Sequence, residues 1–142
     1  MSCVLGFDVG TRLTGVAVGN YLTATARPLT TLNVREGKPD WDRIDNLMTD
    51  WQPEALVVGL PLQMDGSEQA MSRVARHFAK CLEKRYVLPV YLSDERNSSQ
   101  EAARRFAAAR AAGLRRRRDA VDIDAHAAAV ILESWLQMQS PR

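Results

Sequence analysis

The sequence predicts a mixed α/β fold: a five-stranded sheet, made of a three-strand antiparallel meander plus two parallel strands, with helices on both faces. Short apolar segments bounded by Gly, Asn or Pro within residues 3–32 favour the meander. From residue 40 the apolar residues recur at helical spacing. The continuous apolar run ALVVGLP at 55–61 is typical of a buried parallel strand. A meander followed by alternating helices and strands implies one mixed sheet.

All five predicted strands are short and bounded by turn residues. The meander is assigned to VLGFDVG at 4–10, TGVAVG at 14–19 and ATARPLTTL at 24–32. The run at 55–61 is the fourth strand, and VYLS at 90–93 is the fifth.

Two amphipathic helices are predicted around the fourth strand. Asp40 can cap the first helix, whose apolar face carries Ile44, Leu47, Met48 and Trp51. Ser67 follows the turn signal Asp65-Gly66 and can cap the second helix, whose apolar face carries Met71, Val74, Phe78 and Leu82.

Two further helices are predicted after the fifth strand. Ser98 and Glu101 have capping-box spacing and open an alanine-rich helix that Gly113 ends. The last helix covers about residues 123–138. This order of elements resembles that of ribonuclease-H-like domains, and it predicts a single domain over residues 1–142.

Composition excludes several classes of protein. At 142 residues, with 46% apolar and 25% charged residues, the chain has the composition of a globular domain. No apolar run reaches the length of a membrane span, and the N-terminus lacks a basic region and a cleavage site, so a soluble cytoplasmic protein is expected. Cys3 and Cys81 lie in apolar surroundings and are interpreted as buried thiols.

Positive charge is concentrated in one segment, although the net charge is only +2. Between residues 101 and 118 a single acid, Glu101, stands against Arg104, Arg105, Arg110, Arg115, Arg116, Arg117 and Arg118. The planar guanidinium suits phosphate oxygens, and the segment adjoins an acidic cluster, so we interpret it as a nucleic-acid contact. The alternative is a solvated surface loop.

Asp8 lies inside the first apolar strand. A carboxylate is strongly disfavoured in such a place unless it is paired or binds a metal. The nearby Gly6, Gly10 and Gly15 are interpreted as space for a closely approaching ligand. The alternative is an aspartate that stabilises a turn near the strand end.

Asp94 and Glu95 end the fifth strand, at the sheet edge where ligands bind in α/β folds. Adjacent strand residues point to opposite faces, so at most one of the two acids faces Asp8. Arg96 can pair with the other acid. The residues alone leave the choice between Asp94 and Glu95 open.

The last helix offers two more acids, Asp122 and Asp124. Asp124 shares its face with Ala128, Ile131 and Trp135, so it begins the apolar stripe that packs on the sheet. Asp122 lies roughly 200° around the helix from Asp124 and is interpreted as the N-cap and an accessory acid.

Three converging carboxylates would suit hard cations such as Mg²⁺ or Mn²⁺. A pair of such ions can activate a water and stabilise the leaving oxygen in phosphoryl transfer. With arginines nearby, this set predicts a divalent-metal-dependent nuclease that uses two ions. His77 and His126 are interpreted as structural or solvent-exposed residues.

An ordered series of motifs resembles the YqgF family, the RuvX-type group of ribonuclease-H-like proteins. The motifs span residues 3–136 and read FDVGTRLTGVAVG, TARPL, DW, VVGLPLQMDGSE, SDERNSS and VDIDAHAAAVILES. The family is named for nucleases that process the 5′ end of pre-16S ribosomal RNA, and earlier for Holliday junction resolvases. The resemblance implies hydrolysis of phosphodiester bonds in ribosome biogenesis, with branched DNA as the alternative substrate.

The family motifs assign the acids individually. The D-x-G-T aspartate falls on Asp8, the D-E-R glutamate on Glu95 and the late-helix aspartate on Asp124, which are expected to hold the metal and to be catalytic. Asp94 and Asp122 remain accessory. The residues expected to bind substrate are Arg96, Arg115, Arg116, Arg117 and Arg118. Departures from the family pattern at Gln63, at residues 97–99 and in the four-arginine run put substrate preference in question and leave the acids intact.

Two other functions compete with a nuclease. D-x-G-T-x-x-x-G also resembles the phosphate loop of actin-like and sugar-kinase ATPases, but those proteins need two such domains and a far longer chain. A non-catalytic adaptor could bind RNA or the small ribosomal subunit through the arginines. A junction resolvase needs a two-fold dimer, whereas RNA trimming needs one site, so monomer and homodimer both stay open.

Overall fold

The computed structural model describes residues 3–97 and 119–139. Its strands are β1 (Cys3–Val9), β2 (Leu13–Asn20), β3 (Thr25–Arg35), β4 (Lys38–Pro39), β5 (Ala55–Leu60) and β6 (Val90–Asp94). They form one sheet in the order β4-β3-β2-β1-β5-β6. Strands β1 to β4 pair antiparallel, whereas β5 runs parallel to β1 and β6 runs parallel to β5. The predicted meander and parallel pair are confirmed.

Three α-helices belong to the described residues: α1 (Trp41–Trp51), α2 (Ala70–Tyr86) and α3 (Asp119–Gln139). A 3₁₀ turn over Glu95–Asn97 follows β6. None of the helices in residues 3–97 and 119–139 is long and apolar enough to cross a membrane. The alanine-rich helix predicted from Ser98 to Gly113 lies outside the described residues.

Helices cover both faces of the sheet, as the fold class requires. On one face α1 and α2 pack through Ile44, Phe78 and Leu82 onto Leu5 and Phe7. On the other face α3 packs through small and aliphatic residues, Ala128, Ala129 and Leu132, onto Val4 and Val57. Alternate residues of β1 therefore belong to different cores, as its strand period dictates.

The helix caps agree with the prediction for α1 only. The Asp40 carboxylate accepts a hydrogen bond from the Arg43 backbone N at 3.2 Å. The prediction that Ser67 caps α2 is wrong, because Ser67 donates through its N and Oγ to Asp65 Oδ1, at 2.9 and 2.6 Å, in a tight turn. The helix begins after Gln69, whose backbone N donates to Ser72 Oγ at 2.9 Å.

Strand β4 is the sixth strand, one more than predicted. Glu36 and Gly37 adopt φ of 53° and 76° and form a two-residue hairpin turn of the kind that joins twisted antiparallel strands. The turn pairs Arg35 with Lys38 and Val34 with Pro39. A two-residue strand is too short to show a hydrophobic period, so the sequence pattern does not reveal it.

Candidate active site

Asp8 is the last residue but one of β1 and lies opposite Gly15 of β2. It has the same strand parity as Val4, which belongs to the α3 core, so its side chain is on the α3 face of the sheet. Burial raises the pKa of Asp8 from 3.8 to about 7, and the charge of Asp124 adds to this effect. The carboxyl group therefore lies where a negative charge is costly.

Glu95 opens the 3₁₀ turn directly after β6. Its carboxylate packs over Gly59 of β5, since a Cβ on this glycine would lie 2.5 Å from Glu95 Oε2. Burial raises the pKa of Glu95 from 4.5 to about 8, with further contributions from the charges of Asp8 and Asp94. Glu95 thus shares its electrostatic environment with Asp8.

Asp94, the neighbour of Glu95, is engaged in an ion pair. Its Oδ2 accepts from Arg96 Nη2 at 2.6 Å, and its Oδ1 accepts from the Arg96 backbone N at 2.9 Å. The hydrogen bonds from the Arg96 side chain lower the pKa of Asp94. Arg96 Nη1 also donates to the Met64 carbonyl at 3.3 Å, which ties the β5–α2 loop to the end of β6. The two adjacent acids therefore have opposite environments, and Arg96 pairs with Asp94.

Asp124 lies in α3 above the start of β2. Its backbone carbonyl rests on Gly15, where a Cβ would come within 1.9 Å of the Asp124 O. Burial raises the pKa of its carboxyl group. The predicted face is correct, because Ala128, Ile131 and Trp135 are all buried.

The interpretation of Asp122 as the helix N-cap is wrong. Helix α3 begins at Asp119, three residues before Asp122, so Asp122 lies inside the helix. Its side chain lies outside the described residues. Helix starts are poorly marked in a segment where several residues can serve as caps, here Asp119 and Asp122.

The glycines around Asp8 make room for α3 and for backbone, which corrects their interpretation as space for a ligand. A Cβ on Gly6 would lie 2.9 Å from the Leu132 Cβ, and one on Gly19 would lie 2.7 Å from Leu136 Cδ1. At Gly10 the obstacle is the Leu13 carbonyl at 2.5 Å. Helix α3 can approach the sheet closely because no side chain is present at Gly6, Gly15, Gly19 or Gly59.

The sequence did not predict that Gly15 and Gly59 make room for the candidate site acids. Each lies directly under a candidate catalytic residue, Asp124 and Glu95 respectively. Gly15 and Gly19 are four residues apart in β2, so they share a face. That spacing, together with the helix predicted to dock there, was the available signal.

The three acids meet at one edge of the sheet but do not surround a single point. Among the residues that the structure describes, no three His, Cys, Asp or Glu side chains form a ready-made metal cage. The charge of Asp124 instead raises the pKa of Asp8, and the charge of Asp8 raises the pKa of Glu95. Pairs of carboxylates fit Mg²⁺, which is usually held by one or two carboxylates while water and substrate phosphates complete its shell.

The other candidate residues contribute less to this edge. His126 and His77 are exposed, and His77 Nε2 lies 3.5 Å from Cys81 Sγ. Cys3 and Cys81 are free and partly buried. The arginines predicted to contact nucleic acid, Arg115, Arg116, Arg117 and Arg118 among them, lie outside the described residues.

Comparison with known proteins identifies the family. The model of the family described as "RuvX: Holliday junction resolvase" matches residues 2–138. The chain belongs to the RuvX family. Membership makes this protein a nuclease, a hydrolase of phosphodiester bonds in nucleic acid.

Relatives and solved structures agree with this assignment. Proteins of Xanthomonas oryzae and Xylella fastidiosa, both named "Putative pre-16S rRNA nuclease", are 55% and 56% identical over 133 residues, which is 94% of this chain and 86% of theirs. Thermus thermophilus RuvC bound to a Holliday junction superposes with a TM-score of 0.58 at 19% identity over 100% of this chain and 99% of RuvC. The Fowlpox virus resolvase–junction complex gives a TM-score of 0.57 at 16% identity over 98% and 99%. At such identities the structural likeness establishes the ribonuclease-H-like fold.

Proposed function

We propose that this RuvX-family protein is a divalent-metal-dependent ribonuclease that trims the 5′ end of pre-16S ribosomal RNA. The observation that carries the metal dependence is the burial of Asp8 and Glu95 on the α3 side of the sheet, which, together with the charges of neighbouring acids, raises their pKa values to about 7 and about 8. Two such carboxylates are both ionised at neutral pH only when a cation compensates their charge, and otherwise protons neutralise them. The choice of RNA rests on the names of the relatives.

Asp8, Glu95 and Asp124 would hold two Mg²⁺ or Mn²⁺ ions. When bound, such ions activate a water and neutralise charge at the phosphodiester. The chain's own part is to fix the three carboxylates at one edge of the sheet, through the close contacts at Gly15 and Gly59. Asp94 is the accessory acid that keeps Arg96 in place beside Glu95.

Substrate contacts and cellular setting complete the proposal. Arg96 and the arginines at 115–118 contact phosphates, with the assembling small ribosomal subunit as partner. The protein acts in the cytoplasm as a single domain over residues 1–142, as a monomer or a homodimer. The second candidate function is cleavage of four-way DNA junctions, which the description of the family model favours.

One cleavage experiment tests both candidates. Purified protein is incubated with Mg²⁺ or Mn²⁺ and two labelled substrates, a pre-16S 5′ leader RNA and a four-way DNA junction. Asp8→Asn is the test variant, and Asp50→Asn, an exposed acid of α1, is the matched control. We expect cleavage of the RNA by wild type and Asp50→Asn but not by Asp8→Asn.

Other outcomes are equally informative. Symmetric nicking of the junction alone would replace the RNA substrate with branched DNA and imply a dimer. Full cleavage by Asp8→Asn would contradict the proposed site. Binding of the RNA without any cleavage would favour an adaptor.

A further inference from the structure

A cavity of about 480 Å³ opens on the α1/α2 side of the same sheet edge. Its wall includes Val9, Gly10 and Thr11, the residues that directly follow Asp8 in the chain. Val9 packs against the α1/α2 core, so it faces the opposite side from Asp8. The cavity and the acidic site therefore share one edge of the sheet and lie on its two faces.

The walls of this cavity are apolar and aromatic. Trp41 and Phe78 both line it, and their rings stack with centroids 5.8 Å apart. Val74 of α2 also lines it and is 44% exposed, although its helical position predicts a core residue. Phe78 is buried, whereas Trp41 is partly exposed and can present an aromatic ring of the kind on which unpaired nucleobases stack.

The polar residues of the cavity carry no negative charge. Lys38 and His77, together with Thr11, Thr14 and Cys81, supply its charged and polar groups, and none of the lining residues that the structure describes is an Asp or Glu. Two other cavities among the described residues each include an acid, Asp50 in one and Glu83 in the other. This lining suits a ligand that bears phosphate.

The β3–β4 hairpin forms part of the wall of this cavity. Its turn residue Gly37 and both residues of β4, Lys38 and Pro39, line the cavity. The pairing of Lys38 with Arg35 fixes the backbone there. The short strand thus places a lysine beside the aromatic wall, where it can meet a backbone phosphate.

We propose that this cavity binds one nucleobase of the RNA strand whose phosphodiester bond is cut at Asp8, which presupposes the ribonuclease function above. The base stacks on Trp41 beside Val74, with buried Phe78 packed against the Trp41 ring, and Lys38 meets the phosphate of the nucleotide. Small-ligand sites commonly measure roughly 300–1,000 Å³, so the volume is adequate. The strand would cross the sheet edge at Gly10 and Thr11, with the scissile phosphate on the α3 side.

The first test measures binding without cleavage. Ribonucleoside 5′-monophosphates and, as the base-free control, ribose 5-phosphate are titrated into the full chain, with Trp fluorescence as the signal. Trp41→Phe identifies the part of the signal that comes from the cavity. We expect saturable binding of at least one nucleotide and none of the sugar phosphate. No saturable binding, or equal binding of the sugar phosphate, would overturn the proposal.

The matched variants are Val74→Glu and Val87→Glu. Both introduce one negative charge at an exposed valine of the α2 region, but Val87 ends the helix away from the cavity. We expect Val74→Glu to weaken nucleotide binding about tenfold, the factor for losing one stacked base, and Val87→Glu to bind like wild type. Equal affinities of the two variants would contradict the assignment.

The second test separates a substrate subsite from a site for free nucleotides. The scissile bond is mapped, and RNAs with an abasic residue at each neighbouring position are cleaved by wild type and Val74→Glu. We expect one position where the abasic RNA is cut about tenfold less by wild type, while Val74→Glu no longer distinguishes it from intact RNA. Equal cleavage at every position would overturn the proposal. If no RNA is cut at all, the ribonuclease function fails, and the inference of a subsite fails with it even if nucleotides bind.

Discussion

The two faces of the sheet differ in the size of the side chains that pack there. On the α1/α2 face the core consists of large residues such as Leu5, Phe7 and Phe78. On the α3 face, glycines of the strands meet the helix, so that even the backbone carbonyl of Asp124 touches β2 at Gly15. The absence of side chains beneath α3 lets Asp124 lie close to β2, whereas large side chains fill the space on the opposite face.

The carboxylates on the two faces of the sheet also have different environments. On the α1/α2 side, Asp45 accepts from Arg85 Nη2 at 2.8 Å and also bonds Tyr86, which lowers its pKa to about 2. On the α3 side, Asp8 and Glu95 have raised pKa values because they are buried near like charges. The α1/α2 face thus has an exposed carboxylate in an ion pair, whereas the α3 face has carboxylates buried near like charges.

The largest effect on stability is expected where bulk is removed. Phe78→Ala should lower the free energy of unfolding by about 3–5 kcal/mol, because Phe78 is buried and contacts Phe7 and Trp41 at ring-centroid distances of 5.4 and 5.8 Å. Denaturant unfolding measures this loss. Phe78→Leu, which keeps most of the volume, should lose clearly less, and equal losses would argue against a packing role.

The second-largest loss of stability is expected when one methyl group is added on the α3 face. Gly15→Ala places a Cβ within 1.9 Å of the Asp124 carbonyl, and backbone cannot rotate away as a side chain does. We expect a loss of roughly 1–3 kcal/mol in stability and, in the folded fraction, a strong loss of metal-dependent cleavage, because Asp124 moves. Retention of full cleavage would show that the close approach of α3 does not position the acids.

Asp8→Asn should stabilise the metal-free protein at neutral and alkaline pH. A folded pKa of about 7, raised from 3.8, means that stability present below about pH 4 is lost as pH rises through 7. Removing this charge should raise the free energy of unfolding at pH 8 by roughly 1–4 kcal/mol, since one pKa unit corresponds to about 1.4 kcal/mol. Thermal unfolding with chelator from pH 4 to 8 checks this, and a variant less stable than wild type at pH 8 would refute it.

The smallest effect is expected at the exposed ion pair of the α1/α2 face. The pKa of Asp45 is lowered to about 2, so its contribution to stability is present above about pH 4 and lost as pH falls through 2. Asp45→Asn should therefore lower the melting temperature slightly at pH 7 and leave it unchanged near pH 2. A constant difference between these pH values would mean that the charge of Asp45 is irrelevant.

Hydrophobic periodicity and capping residues were enough to predict several elements of the fold from the sequence. The continuous run at 55–61, the cap at Asp40 and the helical face of Asp124 all follow from patterns within a few residues. The choice between Asp94 and Glu95 needed more, because it depends on the pairing of Arg96 with Asp94 and on the burial of Glu95 over Gly59. The spacing of Gly15 and Gly19 indicates a glycine face on β2, but the contacts of Gly15 with Asp124 and of Gly59 with Glu95 depend on tertiary packing that this spacing does not specify.

Metal binding tests the central claim most directly, namely that Asp8, Glu95 and Asp124 together hold divalent metal ions. Mn²⁺ is titrated calorimetrically into wild type, Asp8→Asn and Asp50→Asn at pH 6 and pH 8. We predict saturable binding by wild type and Asp50→Asn that is tighter at pH 8, because protons leave Asp8 and Glu95 as pH rises through about 7 and about 8. Affinity should be at least about tenfold weaker in Asp8→Asn. Binding by Asp8→Asn as tight as wild type at both pH values would contradict the account.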